Sequence, residues 1–481
     1  MKRNGNGAEF LLMSIHTALT AEGPPIALDS GNTAWLLVSA SLVLFMTIPG
    51  LALFYGGLGR AKSALNMMMM SFGAMGVVGI LYVLFGYSMS FGSHDIGGVI
   101  AGPFEFFGLK GMLPGEPGAS STIMGDGIPT LVFAGFQLTF AVITVALISG
   151  AIADRAKFST WLVFCGLFVT LVYFPLAHMV WGGGLLSASS DGLAARMFGT
   201  TDDAATVAPI DFAGGTVVHI NAGIAGLVLA LLLGKRIGFG RTPMRPHNVP
   251  LVMLGSGILW FGWFGFNAGS ALGANESAAL AWVNTTAATC AAMMGWLVVE
   301  KRREGHMTSV GAASGVVAGL VAITPACGNV TPVGAIGVGL VAGGLAAVAV
   351  GLKYRFGLDD SLDVVGVHLV AGLWGTISLG IFARGTGLAY GEWRQLVVQV
   401  VIALVALTYT AILTAGIGYA LKATMGWRID ADDEIAGIDT AEHAESAYDL
   451  VGFGGSKHIG QSKPEHDARH HHEISRKGAK A

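Results

Sequence analysis

Eleven stretches of this chain stay apolar for about 20 residues or more, the length that carries an α-helix across the hydrocarbon core of a bilayer. No other feature narrows the fold so far. In lipid every backbone N–H and C=O needs an internal partner, and stretches this long meet that need as helices. They run near 33–57, 63–91, 128–152, 159–184, 211–234, 247–272, 276–299, 307–325, 331–352, 363–383 and 395–423. The expectation is an all-α polytopic membrane protein with eleven transmembrane helices. Only 12% of the residues are charged, against about 25% in an ordinary globular chain.

Basic residues in the connecting loops set the orientation. One set of loops holds Arg60, Lys62, Arg155, Lys157, Lys235, Arg236, Arg241, Arg245, Lys301, Arg302, Arg303, Lys353 and Arg355; the alternate set holds Lys110, Arg196, Arg384 and Arg394. Thirteen against four puts the first set in the cytoplasm. The N-terminus is then outside and, after an odd number of crossings, the C-terminus inside. Residues 1–31 form an outer segment in which Lys2 and Arg3 precede the short apolar run Phe10–Ile15, with Ala18–Ala21 as a candidate signal-cleavage site. That run is shorter than the ~7–15 residues of a secretory signal, which favours a disordered outer tail. Residues 32–425 make the membrane domain. From 426 to 481 acids outnumber Lys and Arg eleven to seven, so this part is a soluble cytoplasmic tail. Its His470-His-His472 reads as solvated chain rather than a metal site. Cys165, Cys290 and Cys327 have no paired spacing and are read as buried small residues, neither disulfides nor metal ligands.

Ionisable residues inside two of the spans carry the functional argument. Asp211-Phe-Ala-Gly-Gly-Thr-Val-Val-His219-Ile-Asn-Ala-Gly opens the fifth, and Val367-His368-Leu-Val-Ala-Gly repeats its Val-His-x-x-Ala-Gly in the tenth. Polar groups in hydrocarbon are costly and mark transport paths. Five helices followed by five more leave the second set upside down, so helices 1–5 and 6–10 form an inverted repeat with the path at its join. The eleventh stands outside it.

Neutral imidazole donates from one nitrogen and accepts at the other, so two facing rings can bond to each other and still offer a nitrogen to a lumen. Asp211, eight residues or about 12 Å along the helix before His219, is split between capping its helix and stabilising a cation at the outer mouth. Asp363, five before His368, is read as a helix cap. Phe136 and Phe140 share one helical face, as do Trp263, Phe266 and Ser270. Ordinary packing explains most such stripes. Trp181, just before Gly182–Gly184, is either an interfacial anchor or a cation–π platform.

Together with Phe45-Met-Thr-Ile-Pro-Gly-Leu-Ala-Leu-Phe-Tyr-Gly-Gly57, these motifs resemble, in order and spacing, the ammonium transporter family (Amt/Mep/Rh), over about residues 33–450. The tail runs Asp433-Glu-Ile-Ala-Gly-Ile-Asp439 and His443-Ala-Glu-Ser-Ala-Tyr448 resemble the bacterial type. Trp181 resembles the Amt branch rather than Rh. The outer loop at 185–210 and the extension after Tyr448 depart from the family pattern.

The resemblance implies an ammonium transporter of the cell inner membrane, not an enzyme, with no cofactor and no nucleic-acid partner. It implies recruitment of ammonium at Trp181, Phe140 and Ser270, a gate of Phe140 and Phe266, and a pore lined by His219 and His368. Phe54, Tyr55 and Trp263 are the implied inner aromatics, with Asp211 and Phe136 beside the path. A homotrimer and a PII-type regulatory partner at the cytoplasmic face also follow from it. A membrane ammonium sensor and an Rh-like neutral gas channel are the alternatives.

Overall fold

In a computed structural model, residues 27–114 and 123–448 are described. The described residues up to Ala447 form one compact unit. A second unit, Tyr448–Ala481, falls outside the described residues except for Tyr448. The expectations for Phe10–Ile15, Ala18–Ala21 and His470–His472 likewise lie outside them.

Ten described helices are long and apolar enough to cross a membrane. They are α1 (Ser30–Leu58), α2 (Ala61–Phe91), α3 (Thr130–Ile152), α4 (Phe158–Trp181), α5 (Gly215–Leu233), α6 (Val249–Gly269), α7 (Glu276–Glu304), α9 (Pro332–Phe356), α10 (Val365–Phe382) and α11 (Arg394–Thr424). Between α7 and α9 lies α8 (Ser309–Ile323), with 15 residues. It advances about 22 Å, short of the ~30 Å hydrocarbon core. Residues 313–330 are all buried, so the turn after α8 sits inside protein rather than lipid. Asn284 of α7 satisfies that turn by donating to the carbonyls of Cys327 (2.7 Å) and Val330 (2.9 Å).

Helix starts follow local chemistry. Asp29, Asn248, Asn275, Thr308 and Thr331 each accept from a backbone N–H three residues on, and α9 continues with Pro332 in its first turn. Small residues let the backbones touch. A methyl on Gly339 or Gly343 of α9 would stand 2.0 or 1.9 Å from the carbonyl oxygens of Ala288 and Ala292 on α7, the small-xxx-small contact of membrane helices. Cys165 and Cys327 are buried as expected, but Cys290 is exposed on α7. It sits one turn from Met294, which is also exposed, on the face turned away from the bundle.

At one end of the bundle are two small antiparallel hairpins, β1 (Asp95–Ile96) with β2 (Ile100–Ala101), and β3 (Thr200–Thr201) with β4 (Ala204–Ala205). At the other end, short helices Ala431–Ala436 and Ile438–His443 lie against the starts of α2 and α4. Asp439 accepts from the N–H groups of Leu65 (3.0 Å) and Asn66 (2.7 Å), and Glu442 from Phe158 (3.0 Å). Arg236 there bridges Asp154 and Asp359 at 2.8 Å each. Burial alone would raise both carboxyls, but Arg236 outweighs it and holds them below the usual carboxylate range.

Candidate functional site

The site is built where α5 and α10 cross. Each begins as a wide π-helical turn, Gly215–Ile220 and Val365–Val370, and continues as an α-helix. The histidine sits inside the wide turn in both. Four residues on, each carries a glycine facing the other helix. A methyl on Gly223 would lie 2.4 Å from the Leu369 nitrogen, and one on Gly372 would lie 3.0 Å from the His219 Cβ. The glycine of Val-His-x-x-Ala-Gly is therefore what brings the two histidines together.

The imidazoles lie 5.6 Å apart, their planes 23° from parallel. His219 is fully buried and His368 is 3% exposed. The bond allowed for between the rings is not made. Both nitrogens of His219 and Nδ1 of His368 have no hydrogen-bond partner among the described residues. Buried polar atoms without partners are costly and uncommon.

An aromatic column leads from these rings toward the hairpin end. His219 lies 5.5 Å from Trp263 and 6.0 Å from Phe266. Phe266 stacks on Phe140 at 4.2 Å, and Phe140 meets Trp181 edge-on at 6.0 Å. Phe136 braces Phe140 from the preceding turn at 4.8 Å. The Trp263 indole donates to the Thr324 hydroxyl (2.9 Å), and the half-buried Ser270 donates to the Phe266 carbonyl (2.8 Å). Phe54 and Tyr55 lie elsewhere, toward the tail end of α1, where the Tyr55 hydroxyl donates to the Leu147 carbonyl (3.0 Å). They pair with each other at 6.0 Å.

Asp211 caps α5. Its carboxylate accepts from the N–H groups of Gly214 (2.8 Å), Gly215 (2.6 Å) and Thr216 (2.8 Å) and from the Thr216 hydroxyl, while its carbonyl accepts from the Trp181 indole (2.9 Å). The capping half of its expected role is the one observed. The expectation for Asp363 is corrected. Asp360 opens α10, accepting from Val364 (3.0 Å) and Val365 (2.7 Å), while Asp363 takes a left-handed φ of 66° and pairs with Lys353. Asp360 precedes His368 by eight residues, the same interval as Asp211 to His219, so the signal was there in the spacing. Burial, reinforced by Asp363 and opposed by Lys353, pushes Asp360 up to about 7. Both Asp363 and Lys353 line a tail-end cavity of about 440 Å³, with Arg241 and Tyr354.

Sequence reasoning also missed Gln399 on α11. Its amide accepts from the Ile210 N–H (2.9 Å) and donates to the carbonyls of Ile210 (2.8 Å) and Thr376 (3.1 Å), fixing the segment that delivers Asp211. Its trace in the sequence was a glutamine four residues after Gln395, one turn further into an apolar helix.

A buried imidazole pair reached through stacked aromatic rings, inside a bundle of membrane-length helices, defines a polytopic transport protein. The chain belongs to the ammonium transporter family, whose model matches residues 34–448. The ammonium transporter of Mycobacterium tuberculosis (strain ATCC 25618 / H37Rv) is 52% identical over 450 residues, covering 89% of this chain and 92% of that protein. That of Aquifex aeolicus is 49% identical over 447 residues, covering 92% and 98%. Among solved structures, Saccharomyces cerevisiae Mep2 superposes with a TM-score of 0.73 at 34% identity, covering 84% of this chain and 88% of its own. A Sensor Amt Protein superposes with a TM-score of 0.75 at 28% identity, covering 86% and 98%. The protein is a multi-pass ammonium transporter of the cell membrane.

Proposed function

We propose that the chain recruits ammonium at an outer aromatic site of Trp181, Phe140 and Ser270, strips its proton, and conducts ammonia past Phe266 and the His219–His368 pair. The observation that carries this reading is the three partnerless imidazole nitrogens in an aromatic wall. Such an apolar-walled passage penalises any charged species. Potassium, of similar size and the same charge as ammonium, has no proton to shed. Ammonia crosses neutral, and the free nitrogens replace the hydrogen bonds it leaves in water. The proton passes separately. Selectivity is then proton chemistry rather than diameter.

In this reading the hairpin end is the outer face and the tail end the cytoplasm, following the basic loops. With α8 counted as a crossing there are eleven helices, and α1–α5 and α6–α10 are inverted copies. Matched caps, wide turns and glycine contacts on α5 and α10 support that repeat. Phe54 and Tyr55 stand at the inner side. Residues 1–31 are the outer segment, 32–425 the transport domain and 426–481 the cytoplasmic regulatory tail. By family membership the assembly is a homotrimer, with a PII-type protein as regulator at the inner mouth. The Sensor Amt likeness does not displace transport, since the relatives at 52% and 49% identity are transporters.

Replacing both histidines, as H219L/H368L, abolishes selective methylammonium uptake by proteoliposomes. Wild-type selective uptake in that variant would refute the reading.

A further inference from the structure

In the wide turn of α5 the backbone passes over one carbonyl. The Asn221 N–H reaches the carbonyls of Thr216 and Val218, five and three residues back, rather than that of Val217, the one four back that an α-helix would use. The Asn221 side chain takes the Val217 carbonyl instead, its Nδ2 donating at 3.0 Å. Its amide oxygen is engaged as well, because the Thr410 hydroxyl of α11 donates to Asn221 Oδ1 at 2.9 Å. Together the two bonds fix which way the amide points, since its nitrogen only donates and its oxygen only accepts. Asn221 and Thr410 are both fully buried.

His219 stands two residues before Asn221, within the turn that this amide braces. An α-helix advances about 100° per residue, so closing the turn to α geometry would rotate the chain before it by about that angle against the chain after it. The ring would leave its place 5.5 Å from Trp263 and 5.6 Å from His368. The position two after His368 is Val370, which has no amide to offer, so this brace belongs to the His219 turn. A polar bond between two apolar helices is costly to keep unless both partners are satisfied, and Asn221 and Thr410 satisfy each other.

We propose that Asn221, oriented by Thr410, is a positioning residue for His219. It holds the α5 turn wide, keeps the ring facing His368 and the aromatic column, and so sets the rate of passage rather than the capture of the cation. Trp181, Phe140 and Ser270 stand on α4, on α3 and at the end of α6, away from the turn that Asn221 braces. Loss of the brace therefore falls on maximal rate and leaves KM unchanged.

This inference rests on the histidine pair lining the path, so H219L/H368L is measured alongside. Methylammonium uptake is followed with the full-length chain in proteoliposomes, together with heat resistance in detergent. Asn221→Ala lowers the maximal rate about 10- to 100-fold at wild-type KM. Asn221→Ser, whose hydroxyl can bond the carbonyl four residues back, recovers the rate to within about 3-fold of wild type. Thr410→Val keeps the Val217 bond but frees the amide, and lowers the rate about 3-fold. Thr414→Val is the control and keeps the wild-type rate, since its buried hydroxyl, one turn along α11, has no partner among the described residues. A wild-type rate in Asn221→Ala, an equal loss in Asn221→Ser, or a change confined to KM overturns the inference. If Asn221→Ala gives no folded protein, Thr410→Val decides: a wild-type rate there, or a loss shared by Thr414→Val, overturns it. Wild-type uptake by H219L/H368L overturns the reading of the path itself.

Discussion

Adding one methyl group at Gly223 tests whether the histidine pair depends on backbone contact between α5 and α10. In Gly223→Ala the new Cβ would lie 2.4 Å from the Leu369 nitrogen and 2.6 Å from its Cα. Ordinary contacts lie near 3.5–4 Å, so the helices must part by about 1 Å at the residue next to His368. Overpacking of this kind costs about 1–3 kcal/mol, and alanine in a helix returns about 1 kcal/mol relative to glycine. The stability change is therefore modest, up to about 2 kcal/mol of loss. Function responds more strongly, because a displacement near 1 Å at a reacting site can cost about 100-fold. Gly76 and Gly257 would have nothing within 4 Å of an added methyl and serve as controls. Heat resistance in detergent and methylammonium uptake are measured for all variants. The expected order of damage is Gly223→Ala, then Gly372→Ala at 3.0 Å from His219 Cβ, then the controls, which match or exceed wild-type stability. A Gly223→Ala protein that transports at the wild-type rate with the stability of Gly257→Ala would refute the reasoning.

Two further outcomes follow from the caps and the clamp. Asp360 is raised from 3.8 to about 7 in the folded chain, so folding binds a proton there, and its contribution declines as pH climbs from about 4 to about 7. The loss approaches about 4 kcal/mol above that window, so Asp360→Asn gains stability relative to wild type between about pH 5 and about pH 8, read by heat resistance. A difference independent of pH would contradict it. Gln399→Leu strands the N–H and carbonyl of Ile210, costs about 2–5 kcal/mol, and raises KM for methylammonium by loosening Asp211. Gln395→Leu, which removes the bond to the Ala208 carbonyl and a longer one to Gln399 but leaves both Ile210 groups paired, does less in the same uptake assay.

Hydropathy alone located every long helix, because chain crossing lipid has few other solutions. Helical spacing likewise put Phe136 with Phe140, and Trp263 with Phe266 and Ser270, on shared faces. What spacing could not supply was which face meets which. The stacking of Phe140 on Phe266 joins α3 to α6, and nothing local to either encodes it. The caps show a different limit. Asp360 and Asp363 both stand before α10, and propensity favours either. The choice is made by the left-handed backbone at Asp363, which turns its own carboxylate to Lys353 and leaves the first N–H groups of the helix facing Asp360. The wide turns around the histidines, Gly215–Ile220 and Val365–Val370, were equally invisible to propensity and periodicity.

The two caps make the transport path alike in scaffold and unlike in chemistry at its ends. Each acid stands eight residues before its histidine and holds the first N–H groups of a wide helical turn, so both rings are set from a fixed polar anchor. At the hairpin end the anchor is knitted to Trp181 through the Asp211 carbonyl, which links helix capping to the aromatic column. At the tail end the anchor is joined by a second carboxylate, Asp363, and by Lys353, next to a cavity. Burial and that neighbour make Asp360 a group that changes charge near neutral pH. One backbone plan used twice thus carries an acid knitted to an indole at one end and an acid beside a second carboxylate and a lysine at the other.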